Sequence, residues 1–205
     1  MERAKGLLLR MGYASGLRDA ELARPYSEQA QSDLEAFLVG PRLHALEGIV
    51  RVTPLKLEVD RQTRHFHGEF LWENSWEGRW HRHQFGTHHE PVCWTQIGYA
   101  CGYTSAFMGR SILYKEVECV GQGDNRCRIV GQPTEDWDDA AEWERLLAPV
   151  SIAEQLIELQ SEVTQLRSTL EQHTNLPAQM VGNSRSFQEA CKLLQAAAGC
   201  DISVL

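Results

Sequence analysis

No run of apolar residues in this 205-residue chain is long enough to cross a bilayer. Basic charge is scarce as well: 20 lysines and arginines stand against 28 acids, a net charge of −8. Neither a membrane-spanning protein nor a direct nucleic-acid binder is expected from this segment, because nothing here would neutralise a phosphate backbone. The start, MERAKGLLLRMGYASG, lacks the design of a signal peptide, since Arg10 breaks its short apolar patch and no cleavage site follows. The chain is therefore read as cytoplasmic. Thiols stay reduced in that compartment, so six cysteines point to metal binding or burial and away from disulfides. With 42% hydrophobic residues, the chain can bury one core and keep an appendage.

Apolar spacing predicts helix over residues 1 to about 25, with a Gly-containing bend. Asp33 to Leu38 reads as a second short helix ended by Gly40-Pro41. A β-rich middle follows, alternating through Val50, Val52, Leu55, Leu57 and Val59 with a phase change at Pro54, and again through Phe66, Phe70 and Trp72. Glu90-Pro91 marks a helix start, and small residues in the middle of that helix permit close packing on a neighbour. SILYKEVEC and CRIVGQ read as a hairpin around a glycine-bearing turn. From Pro149, Ile152, Leu156, Leu159, Val163, Leu166 and Leu170 recur at intervals of four and three, a heptad seam suited to a dimer. After Asn175-Leu176-Pro177 a new segment begins, and it stops in what reads as a strand cut short.

The stretch EVECVGQGDNRC carries the chemistry. It is not a calcium loop: Asp124 and Asn125 are adjacent, and the stretch closes on a cysteine where a terminal Glu is required. Cys119 and Cys127 flank a glycine turn that can bring both sulfurs onto one ion, and zinc prefers thiolate, imidazole and carboxylate donors. Cys93 and Cys101 would lie about 12 Å apart on one helix, so only one can join. Cys93 is chosen, because a first-turn thiol is the more easily deprotonated. Glu116 and Glu118 compete for the fourth place. Cys101, Cys191 and Cys200 are read as buried thiols, and the run HRHQFGTHHE as an exposed loop whose imidazoles share no common point.

Several stretches, GPRLHALEGIVRV, EPVCWTQIGYACGYTSAFMGR, GDNRCRIVGQ and EDWDD, together resemble the XylR/DmpR-type, sigma-54-dependent activators of aromatic catabolism. The resemblance implies an α+β fold, an antiparallel sheet packed with helices of the 4-vinyl reductase type, followed by a linker coiled-coil helix. It implies three parts: an aromatic-effector sensor with a zinc site at 1–148, a linker at 149–176, and the truncated start of an AAA+ ATPase at 177–205. By the same resemblance, Cys93, Glu116, Cys119 and Cys127 hold a structural zinc ion, which favours Glu116 over Glu118. His44 and Trp72 grasp a phenolic hydroxyl, while Phe37, Phe70 and Tyr114 wall the ring, with Ile97 and Tyr99 beside them. Relatives that sense rings without a hydroxyl tend to carry Tyr at the position of His44, so phenol or a substituted phenol is the implied effector. The implied partners are a second copy of the chain and its own ATPase domain, which would contact sigma-54 RNA polymerase. The family's sensors usually have a further segment ahead of Met1, and the phosphate-binding loop would lie beyond Leu205, so no enzyme is expected in this segment. The alternatives are a zinc enzyme acting on an aromatic substrate, and a sensor for non-phenolic or biphenyl-type rings.

Overall fold

Gly12 and Gly16 sit one turn apart on α1 (Glu2–Ser27), and Gly98 and Gly102 sit one turn apart on α5 (Trp94–Met108). Each of the four faces the other helix's backbone. A Cβ on Gly12 would lie 2.0 Å from the Thr95 carbonyl oxygen, and one on Gly98 would lie 2.1 Å from that of Leu9. Gly16 and Gly102 make the same approach to Tyr99 and Tyr13, at 2.3 and 2.1 Å. The glycines of α1 thus mark a helix contact, and the expected bend is absent: the helix continues through them. Gly98→Ala is expected to destabilise the protein by about 3 kcal/mol, because neither backbone can yield without moving a whole helix. Gly6→Ala on the same α1 meets only the flexible Arg10 guanidinium and should be neutral or stabilising. Urea denaturation of the pair checks this; equal midpoints would refute the packing account.

The computed structural model describes residues 2–149, 151–173, 182 and 184–197. Their units are Met1–Pro149 and Val150–Leu205. In the first, β1 (Arg51–Asp60), β2 (His65–Glu73), β3 (Ile112–Glu118) and β4 (Cys127–Pro133) form one antiparallel sheet in the order β1-β2-β4-β3. Alternation along β2 buries Phe66, Phe70 and Trp72, and along β4 it buries Cys127 and Ile129. The phase change read at Pro54 is a register shift between Pro54 and Lys56. A second shift, between Glu116 and Glu118, separates the two acids that sequence spacing left in competition.

Three local expectations are corrected. Gly40-Pro41 does not end a helix: α2 (Asp33–Phe37) gives way directly to α3 (Val39–Leu46), in whose first turn Pro41 sits, where a missing N–H costs nothing. The helix after Glu90-Pro91 begins only at Trp94, because the backbone at its start is held by side chains. The Cys93 N–H donates to Glu116 Oε2 (3.2 Å), and those of Thr95 and Gln96 donate to the buried Glu77 carboxylate. Finally, HRHQFGTHHE is not an exposed loop. His81 and His83 lie on α4 (Trp76–Phe85), where the buried His81 ring packs 5.9 Å from Trp94 and 5.3 Å from His88.

The first unit also carries α6 (Ala140–Leu147). The second contains α7 (Ile152–His173) and α8 (Arg185–Ala197). Leu156, Leu159, Val163 and Leu166 of the heptad seam are exposed in the single chain. The boundary at Asn175-Leu176-Pro177, the terminal strand and Cys200 fall outside the described residues. No helix among the described residues is long and apolar enough to cross a membrane.

Candidate functional site

Cys93 caps the start of α5, Glu116 lies on β3, Cys119 follows that strand, and Cys127 opens β4. Their ligand atoms lie within 4.8 Å of one another, and all four residues are buried. The Cys93 sulfur is 4.0 Å from that of Cys119 and 3.9 Å from that of Cys127. One Glu116 oxygen accepts the Cys93 N–H, and the other, Oε1, is buried with no hydrogen-bond partner. Burial, with the Cys119 charge beside it, drives the Glu116 pKa well upward, and the neighbouring thiols and burial do the same to Cys93. Such a cluster cannot hold several negative charges unless a cation shares the space. An orphaned carboxylate oxygen among three sulfurs is what a metal ion would satisfy, so the residues fit a metal site. Glu118 is turned away: beyond the β3 register shift it pairs with Arg126 and Arg128, which hold its carboxyl down at about 2.

Beside this cluster lies an apolar chamber with about 360 Å³ of atom-free space. Only about 40 Å³ of it admits the centre of a water-sized sphere, so the space is narrow. Six of the seven residues expected at a ligand site line it: Phe37, His44, Phe70, Trp72, Tyr99 and Tyr114. Ile97 does not. It borders a different hollow with Trp94 and Lys5, because at 100° per residue it sits to one side of the α5 face formed by Tyr99, Ala100, Tyr103 and Thr104. Pro41, Val52, Ala100, Tyr103, Thr104 and Ile129 complete the wall and were not singled out from sequence. The i, i+3, i+4 spacing of the α5 members was the available signal for Ala100, Tyr103 and Thr104.

The polar content of the chamber is small and ordered. His44, in the last turn of α3, lies against Tyr99 with ring centroids 3.6 Å apart, and burial lowers its pKa to about 4. Its imidazole is therefore neutral at pH 7 and can accept or donate one hydrogen bond. The Tyr99 hydroxyl donates to Asp19 of α1 (2.9 Å), and the Thr104 hydroxyl donates to that of Tyr114 (3.2 Å). Chamber and cluster share their supports. Trp72 is the register partner of Cys127 across β2 and β4, Tyr114 and Glu116 are successive inward residues of β3, and Cys93 begins the helix that carries Tyr99.

A dry chamber with few polar groups, built onto a closed set of four metal donors, is the layout of a ligand-binding domain. Comparisons with known proteins agree. The family described as "Activator of aromatic catabolism" matches residues 1–60, and the 4-vinyl reductase domain family matches residues 72–133. The crystal structure of the phenol-responsive sensory domain of the transcription activator PoxR with phenol is 53% identical, covering 73% of this chain and 74% of that one, with a TM-score of 0.71. The phenol regulator MopR of Acinetobacter guillouiae is 38% identical over 211 residues, and the transcriptional regulatory protein XylR of Pseudomonas putida is 42% identical over 205. Both matches span the whole of this chain, which covers only 37% and 36% of those proteins. The chain belongs to the XylR-type family of aromatic-catabolism activators, in the sensor part of such a protein.

Proposed function

We propose that this chain is the sensory part of a sigma-54-dependent activator, and that a phenol-class ring entering the chamber changes the restraint on an adjoining ATPase domain. The observation that carries this reading is a neutral imidazole and an indole in one otherwise apolar chamber. The indole N–H of Trp72 donates to a phenolic oxygen, while His44 accepts the phenolic proton; Phe37, Phe70 and Tyr114 hold the ring. A ring without the hydroxyl leaves these groups unsatisfied and binds more weakly. Coupling requires only that the bound and free states differ in how the sensor engages its neighbours. The exposed heptad seam of α7 supports a homodimer, in which the apolar stripe would be covered.

The four donors suit structural zinc. Zinc–sulfur bonds of about 2.3 Å in a tetrahedron place sulfurs about 3.8 Å apart, close to the separations of 3.9 and 4.0 Å found here. Bound there, zinc would supply a cross-link between α5, β3 and β4. Four protein donors leave no open coordination position, which argues against the zinc-enzyme alternative.

Calorimetry of the purified chain with phenol, toluene and a biphenyl-type phenol tests the assignment. Phenol is expected to bind at least tenfold more tightly than toluene, and the two-ring compound not at all, given how little of the chamber is open. Equal affinity for phenol and toluene would sink the phenol assignment. Zinc-edge anomalous scattering with a coordination count separately tests the metal.

A further inference from the structure

The hydroxyl of Ser75 is buried between the metal cluster and Gln96, and neither residue belongs to the donor set. Ser75 precedes α4, and its oxygen accepts the Gly78 N–H (3.2 Å), capping that helix. The same oxygen accepts from the Gln96 amide nitrogen (3.0 Å) and lies 3.2 Å from the Cys93 sulfur. With both lone pairs used, the hydroxyl has one proton left to place. The Cys93 sulfur and, at 3.3 Å, the Gln96 amide oxygen are its acceptors. The Gln96 amide already engages the oxygen through its closer nitrogen, and a metal-bound thiolate is a charged acceptor, which makes the stronger hydrogen bond.

We propose that Ser75 is a positioning residue for the metal centre, donating its hydroxyl proton to the Cys93 thiolate while Gln96 fixes its orientation. The chain Gln96 N–H to Ser75 O–H to Cys93 sulfur does two things. It locks the rotamer of the one donor that comes from α5, and it draws electron density from that sulfur. Groups one bond removed from a metal's ligands commonly set affinity in this way. Gly78 makes room for the arrangement, since a Cβ there would lie 3.2 Å from the Cys93 sulfur and 3.5 Å from that of Cys127. The inference rests on the reading that the four donors hold a metal.

Ser75→Gly removes the hydroxyl but retains most helix-capping stability, because glycine is itself a good cap. Cobalt(II) is the probe. In Ser75→Gly the sulfur-to-cobalt charge-transfer band should move to longer wavelength, and cobalt affinity, measured by chelator competition, should fall about 10- to 100-fold. Ser75→Thr, which keeps the hydroxyl, should restore both, and Gln96→Leu should move both in the same direction by less. A purely structural role would lower the melting temperature and leave the band where it was. Band and affinity equal to those of the unsubstituted protein would overturn the proposal. Failure of the unsubstituted, folded protein to take up cobalt would instead overturn the metal reading beneath it.

Discussion

Cys127→Ser is expected to yield a protein without stoichiometric metal whose first unit no longer melts cooperatively at 25 °C. The size of the effect follows from what the metal would contribute. Structural zinc supplies about 10–16 kcal/mol in small domains, and whole domains are stable by only about 5–15 kcal/mol. Losing one of four donors removes a large part of that and leaves Glu116 and two other thiols buried beside a hydroxyl. Cys101→Ala provides the contrast. Cys101 is equally buried, but it lies outside the cluster, and burial raises its thiol to about 12, so it stays protonated and inert. Its loss should cost about 1–3 kcal/mol, for a small cavity and for the Tyr114 N–H that now donates to its sulfur. Metal content by mass spectrometry with thermal melts decides the matter. A Cys127→Ser protein that keeps one equivalent of metal would remove Cys127 from the donor set. Because Trp72 pairs with Cys127 across the sheet, effector binding should vanish together with the metal.

His44→Ala should weaken phenol binding by about 5- to 150-fold and toluene binding far less, since only phenol's hydroxyl is left unpaired, at about 1–3 kcal/mol. Equal losses for both rings, by calorimetry, would show that His44 merely packs. The pH profile is a further readout. Burial holds the His44 pKa near 4, so its neutral form persists, and phenol affinity should be flat from about pH 5.5 to 8 and fall as the pH drops through 4. The same shift sets a sign for stability. Unfolded His44 takes up its proton near pH 6.5 while the folded form resists until about 4, so the unfolded state binds more protons in this window. Stability therefore declines as pH falls from 6.5 toward 4, by up to about 3 kcal/mol from this one group.

Much of the metal cluster was legible because its spacing is local. Two cysteines around a glycine turn are brought together by the hairpin itself, and the alternation in β1 even showed the irregularity at Pro54. Glu116 could not be told from Glu118 by pattern, since the register shift between them has no sequence signature of its own. The chamber was half legible for a related reason. Residues such as Val52, Ile129 and Pro41 come to line it from three separate elements, and nothing in their own neighbourhoods says that the space they face is left unfilled. The glycines of α1 and α5 were misleading one at a time: alone, Gly12 suggests flexibility, and only its partner helix, far along the chain, reveals a contact. His81 was hidden similarly, since the residues that bury it, Trp94 and His88, arrive from beyond α4.

That glycine contact also has a mechanical meaning. Where side chains separate two helices, a small shift of one is absorbed by rotamer changes before the other feels it. Here carbonyl groups and α-carbons touch directly across four positions, leaving no compliant layer between them. Tyr99, on the chamber side of α5, also reaches across to Asp19 of α1. The two helices thus form one stiff beam, and a push of an ångström against the chamber wall on α5 arrives at the far side of α1 almost undiminished.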